Sequence, residues 1–222
     1  MKNMKKMQSG FTLVEIAIVL VIIGLLLGGV LKGQELINSA KVKTFVNDFK
    51  TVPLFIYGYQ DKYKALPGDD KAASAHLGTS VSLLTPTSTT LGNGRIEGKF
   101  DSETNTDESV AFWQQVRVAN LASGPTDFSD AAKITAALPT NADGGRVGIQ
   151  SDVPISGMTG SYFICSKGIQ GKFTKQIDIT MDDGNTATGS VRVMGTAASG
   201  TPNAVATADI VDSTTYTVCT AF

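Results

Sequence analysis

Glu15 occupies the most unusual chemical setting in this 222-residue chain, a carboxylate inside an otherwise apolar run. The run, FTLVEIAIVLVIIGLLLGGVL over residues 11–31, contains no other charge. An acidic group costs about 2–3 kcal/mol at the centre of a bilayer and less near its edge. An unpartnered carboxylate is therefore disfavoured there, and a cation beside it would offset the cost. The preceding residues offer a source for one. Lys2, Lys5 and Lys6 give residues 1–10 a charge of +3 with no acid, and this leader ends at Gly10, whose missing side chain lets a protease approach the backbone closely. Cleavage between Gly10 and Phe11 would create a new α-amino group at the membrane boundary.

Other residue sets are weaker candidates. Asp101, Glu103, Asn105, Asp107 and Glu108 form an acidic string with the alternation of a calcium loop. It fails as an EF-hand, because Thr106 stands where glycine is needed and Phe112 where the bidentate glutamate belongs. Asp178, Asp182 and Asp183 raise the same question, and the Asp182-Asp183-Gly184-Asn185 turn accounts for the last two without a ligand. Calcium is the only cofactor these strings would suit, and solvated loops and turns are the simpler reading. His76 is the single histidine and reads as an exposed polar residue without a nucleophilic partner. Gly160-Ser161-Tyr162 is no nucleophile elbow. Gly92-Asn93-Gly94-Arg95 lacks the spacing of a phosphate loop and reads as a turn. Trp113 reads as a core anchor. Cys165 and Cys219 have no metal-ligand spacing; they pair if exported and stay thiols in a reducing cytosol. A bridge would close a loop of roughly 55 residues, worth about 3–4 kcal/mol by loop entropy. Nothing in this set makes an enzyme.

The elements that position these residues follow from periodicity. At 1.5 Å per residue, 11–31 is long enough to cross the hydrocarbon of a bilayer, and the basic flank keeps residues 1–10 in the cytoplasm. Beyond Lys32, Leu36, Ile37, Ala40, Phe45, Val46, Phe49, Val52, Ile56, Tyr59 and Tyr63 recur at helical steps, with most charges on another face. The pattern predicts one helix of about 50 residues, kinked at Pro53, locally weakened by Gly24, Gly28 and Gly29, and finished by the Leu66-Pro67-Gly68-Asp69 turn. Residues 79–107 read as loop. Residues 108–123 read as a helix with Asn105 as its N-cap and Glu108 as the N3 partner. Short strands are expected at 146–150, 161–165, 175–181, 190–194 and 216–219, with Asp183-Gly184 marking a hairpin between the third and fourth. Removing residues 1–10 leaves 16 basic against 20 acidic residues, a net charge of −4, with no local basic patch to suggest nucleic acid.

Gly10-Phe11-Thr12-Leu13-Val14-Glu15 resembles the processing site of type IV prepilins and of type II secretion pseudopilins. The resemblance is close over residues 5–63 and looser beyond, in Tyr63-Lys64-Ala65-Leu66-Pro67-Gly68-Asp69 and in Phe112-Trp113 followed by Ala119-Asn120-Leu121. It implies that a membrane prepilin peptidase cuts after Gly10 and that the new N-terminal Phe11 is methylated. It implies that Glu15 pairs with the N-terminal amine of a neighbouring subunit during assembly. The implied fold is α+β, a long N-terminal helix packed on a small antiparallel β-sheet, and Cys165 and Cys219 fit the disulfide-bounded C-terminal region of such pilins. Major pseudopilins usually lack that bridge, which tilts the reading toward a pilus.

The resulting organisation is a cleaved leader (1–10), a transmembrane and filament-core helix (11–31), its amphipathic continuation (32–63) and a globular pilin-like region with the disulfide (64–222). The expected function is structural: a homo-oligomeric subunit of a type IV pilus-like helical filament. Its expected partners are the peptidase, an inner-membrane assembly platform, minor pilins and the membrane. It would begin in a bacterial inner membrane with residues 64–222 in the periplasm and end in a cell-surface pilus. The alternatives are a short periplasmic pseudopilus, or a membrane-anchored periplasmic domain that never polymerises.

Overall fold

The computed structural model describes residues 12–87, 91–195 and 200–222. The chain divides into two compact units, Met1–Lys41 and Val42–Phe222. Helix α1, Leu13–Tyr63, is 51 residues long and continues through Pro53. From Val42 onward its buried residues are Val42, Phe45, Val46, Phe49, Val52, Ile56 and Tyr59, the stripe that steps of three and four produce. Lys43, Lys50 and Asp61 are exposed.

The C-terminal unit then adds α2 (Ala73–Leu77), α3 (Glu108–Val118), α4 (Ala131–Ala137), β1 (Val147–Gln150), β2 (Phe163–Gln170), α5 (Gly171–Met181), β3 (Val191–Met194) and β4 (Thr215–Ala221). The four strands form one antiparallel sheet in the order β1-β2-β4-β3. Both faces are covered. Ile149, Ile164, Val191, Val193 and Val218 join the core made with α1, α3 and α5, whereas Phe163, Cys165 and Cys219 join Phe100, Ile155 and Met158 in a smaller cluster. This is the α+β architecture expected, with a long N-terminal helix and a small antiparallel sheet.

Both outer strands also have neighbours. Residues 96–100 lie along β1, where Ser151 N donates to Ile96 O and Phe100 N to Gln150 Oε1 (2.9 Å each). A Cβ on Gly148 would overlap the Phe100 carbonyl oxygen, so glycine is what admits this segment. Along β3, Val193 N donates to Thr186 O (2.9 Å) and Val205 N donates to Val193 O (2.8 Å).

Helix α3 is buried all round from Glu108 to Arg117, although its sequence is only half apolar. Several of its polar side chains hold loops. Gln114 accepts from Leu84 N and donates to Ser82 O and Thr126 O, Gln115 accepts from Gly68 N, and Arg117 donates to Pro125 O. Irregular chain before and after α3 is thereby fixed without strands or helices of its own.

Three expectations need correction. The N-cap of α3 is Asp107, not Asn105, and its side chain makes no cap hydrogen bond. Residues 175–181 are not a strand. Ile177, Ile179 and Met181 alternate, but Phe173, Thr174, Ile177 and Asp178 also recur with helical spacing, and that face is the one buried in α5, leaving Ile179 67% exposed. Asp183-Gly184 consequently joins a helix to a strand and closes no hairpin. The short helices α2 and α4 lie where no element was expected.

Candidate functional site

The site is built at the start of α1. Thr12 precedes the first helical residue and Glu15 stands three positions on, so each reaches the other's backbone. Thr12 N donates to Glu15 Oε2 (2.7 Å), and Glu15 N donates to Thr12 Oγ1 (3.2 Å). The Thr12 hydroxyl also donates to Glu15 Oε2 (2.8 Å). This is a capping box, which satisfies two of the amides that a helix start leaves without partners and puts negative charge at the positive end of the helix dipole. The Thr-x-x-Glu spacing before an apolar run was the signal for it, and reading Glu15 only as an ion-pair partner passes over it. Gly10 and Phe11 lie outside the described residues.

Beyond the cap, the helix is long and apolar enough to cross a membrane, and its most apolar 18-residue window buries nothing within the chain. Leu20, Leu25, Leu26 and Leu31 are each more than 60% exposed. Among the described residues, a Cβ placed on Gly24, Gly28, Gly29 or Gly33 meets nothing within 4 Å. Chemically, the segment is an apolar surface with one capped carboxylate at its entrance.

A comparison with family models matches residues 5–31 to the prokaryotic N-terminal methylation motif, the prepilin-type cleavage and methylation motif of type IV pilins and pseudopilins. The chain carries a prepilin-type N-terminus. No curated protein and no solved structure matches it. The prepilin-type motif belongs to structural filament subunits and not to an enzyme class.

The remaining candidates belong to the C-terminal unit. Cys165 and Cys219 face each other across β2 and β4 and are joined in a disulfide, both fully buried. Trp113 is a core residue, with Phe55 and Phe112 packed edge-on against it. His76 is less exposed than expected: its ring stacks on Tyr63, and Nδ1 lies 2.7 Å from the buried Asp70, which also accepts from Tyr59 OH (2.8 Å). Gly92-Asn93-Gly94-Arg95 forms a turn, with positive φ at both glycines.

Most members of the two acidic strings are engaged with protein donors. Asp101 pairs with Lys167 (2.9 Å), Glu103 accepts from Thr135 Oγ1 and pairs with Arg146, and Asp107 accepts from Ser102 Oγ (2.6 Å). The Thr135 and Arg146 hydrogen bonds hold the Glu103 carboxyl below its ordinary range. Asn105 is exposed in a turn. Asp182 accepts from Val191 N, and Asp183 accepts from Asn185 N and Thr188 Oγ1. Asp178 is fully buried, takes no hydrogen bond on either oxygen, and is pushed up to about 6 by burial and by Asp183 and Asp182. Among the described residues, no group of three or more His, Cys, Asp or Glu is placed to hold a metal ion. A cavity of about 730 Å³ in the C-terminal unit is lined by Lys99, Asp101, Asp152, Lys167 and Tyr216 among others, and its lining contains neither histidine nor cysteine.

Proposed function

We propose that this chain is a structural subunit of a type IV pilus-like filament, processed by prepilin peptidase after Gly10, methylated at Phe11 and assembled through residues 11–31. The observation that carries the reading is the methylation motif at residues 5–31, whose apolar helical stretch stays unburied among the described residues. Before assembly that helix anchors the subunit in the inner membrane, with residues 64–222 on the periplasmic side. In the filament, neighbouring helices replace lipid.

The cap gives Glu15 a partner while the subunit waits. Two Thr12 donors reduce the cost of keeping a carboxylate in lipid, and both belong to the same chain as Glu15. Pairing with the new amine of a neighbouring Phe11 sets the axial register, because in an apolar medium a shifted neighbour leaves both charges unpaired. The disulfide favours a surface pilus over a periplasmic pseudopilus.

The deciding experiment is an intact mass of the protein in sheared filaments and in the membrane fraction. A chain beginning at N-methylated Phe11 and abundant in the sheared material is the expected result. The same mature chain confined to membranes would replace the pilus with a pseudopilus or a minor subunit. An intact leader in cells with active peptidase would replace both with a non-polymerising anchored domain. Glu15→Ala is expected to leave cleavage intact and to abolish most filament yield; normal yield would remove the register mechanism.

A further inference from the structure

Asn93-Gly94 is the one Asn-Gly pair in the sequence, and it lies in an exposed turn of the C-terminal unit. The pair is chemically special. Glycine leaves the following backbone nitrogen uncovered, so that nitrogen can reach the Asn side-chain carbonyl carbon and close a five-membered succinimide. Three hydrogen bonds bear on the atoms of that reaction. Gly94 N, the nucleophile, donates to Asp69 Oδ2 (2.7 Å), a buried carboxylate that also accepts from Gly92 N. Asn93 Oδ1, where negative charge would develop, accepts from Arg95 N (2.8 Å). Asn93 Nδ2, the leaving group, donates to Glu97 Oε1 (2.8 Å). A backbone N–H can only donate, so Arg95 fixes which end of the Asn93 amide is oxygen. Gly94 is also held through its carbonyl, which accepts from Tyr162 OH (3.1 Å). Its φ is +82°, and among the described residues nothing stands within 4 Å of a Cβ placed on it, so that side of the turn is open.

We propose that Asn93 is a self-modification site, converted by the folded turn to a succinimide and then to aspartate or isoaspartate. Asp69 takes the proton of Gly94 N as that nitrogen attacks Asn93 Cγ, and its distance from the nitrogen is the reach a general base needs. Arg95 N stabilises the charge that develops on Oδ1. A bond from Gly94 N to Cγ forms and the Cγ–Nδ2 bond breaks. Asp69 gives its proton to water, water supplies one to Nδ2, and the nitrogen leaves as ammonia. Water then opens the ring at either carbonyl, and nothing is oxidised or reduced. The aspartate product carries a carboxylate where Nδ2 donated to Glu97, so an attraction becomes a repulsion. An isoaspartate adds a methylene to the backbone and draws Gly94 N away from Asp69. The same loop lies along β1 through Ile96, whose N donates to Ser151 Oγ (2.7 Å) and whose O accepts from Ser151 N (2.9 Å). Conversion therefore loosens the cover on that outer strand as the protein ages.

The test compares the full-length chain folded in detergent micelles with the same chain unfolded in guanidinium chloride, at the same pH and temperature. Peptide mapping by mass spectrometry reads the conversion at each asparagine. Conversion at Asn93 should be roughly tenfold faster in the folded chain, because the turn holds nucleophile and carbonyl together. Asn120, Asn141 and Asn185 in the same digests serve as internal references. Asp69→Asn should slow the folded reaction, with the Gly92 and Gly94 amide signals in NMR reporting whether the turn persists. If that variant loses the turn, the comparison of folded with unfolded chain decides alone. Asn93→Asp, which mimics one product, should raise hydrogen exchange at Ile96 and Ser151. A folded rate equal to or below the unfolded one would overturn self-modification. An Asp69→Asn chain that keeps the turn and converts at the original rate would overturn it too. Unchanged exchange in Asn93→Asp would remove the effect on β1.

Discussion

The two units of the chain treat apolar side chains and glycines in opposite ways. In the C-terminal unit Phe45, Phe112, Ile149, Phe163 and Val218 are buried without remainder, and glycines such as Gly145, Gly148 and Gly171 stand where a Cβ would overlap backbone atoms. In residues 13–31 large apolar side chains are exposed along the helix, and Gly24, Gly28 and Gly29 look onto open space. The C-terminal unit has used its hydrophobic surface to fold. The N-terminal unit leaves its apolar surface exposed, and exposed apolar area of this extent marks an interaction site. Polar groups follow the same division: α3 spends Gln114, Gln115 and Arg117 on its own loops, whereas the cap at Thr12 and Glu15 is the only polar work described at the start of α1.

The largest effect that tests this contrast is a matched pair of truncations. Phe112→Ala should destabilise the C-terminal unit by about 3–5 kcal/mol. Leu25→Ala should leave its unfolding midpoint unchanged while lowering filament yield. Denaturation of the full-length chain in micelles, read by near-ultraviolet circular dichroism, compares them; equal losses of stability would erase the distinction. Next in size, replacing Cys165 and Cys219 together by Ala should cost about 3–4 kcal/mol through the 54-residue separation they span, without altering membrane insertion.

A smaller effect is linked to pH. Burial raises the Asp178 carboxyl from 3.8 to about 6, so the folded state favours its neutral form. The stability contributed is complete below the unfolded value and is lost as pH rises through about 6, on the order of 3 kcal/mol. Asp178→Asn should flatten that part of the stability profile, and an unchanged profile would show that Asp178 has access to solvent. The smallest expected change is Gly28→Ala, which should raise helicity by about 1 kcal/mol of propensity and disturb nothing within the chain. A fall in filament yield in that variant would assign the open glycine to contacts between subunits, whereas full yield would leave it to the lipid.

The legibility of the sequence tracks the same division. The helix of 51 residues was readable because apolar content in residues 11–31 and helical spacing from 36 to 63 point the same way. Strands β1 and β3 were readable from their β-branched residues, and β4 from its alternation. At residues 175–181 two periods fit one stretch, and only the position of α5 against the sheet chose between them. Gln114 and Gln115 gave no sign that they would organise distant loops, because their partners are backbone groups on either side of α3 and carry no side-chain signature. The Thr12–Glu15 cap, by contrast, was written in a spacing of three.

The covered margins of the sheet have a consequence for the proposed filament. A strand with a bare row of amides and carbonyls invites its counterpart on the next molecule, and stacked copies would offer that invitation at every contact. Here residues 96–100 occupy the outside of β1, and Thr186 and Val205 occupy the outside of β3. In the proposed filament, copies could therefore pack densely without drifting into cross-β aggregation.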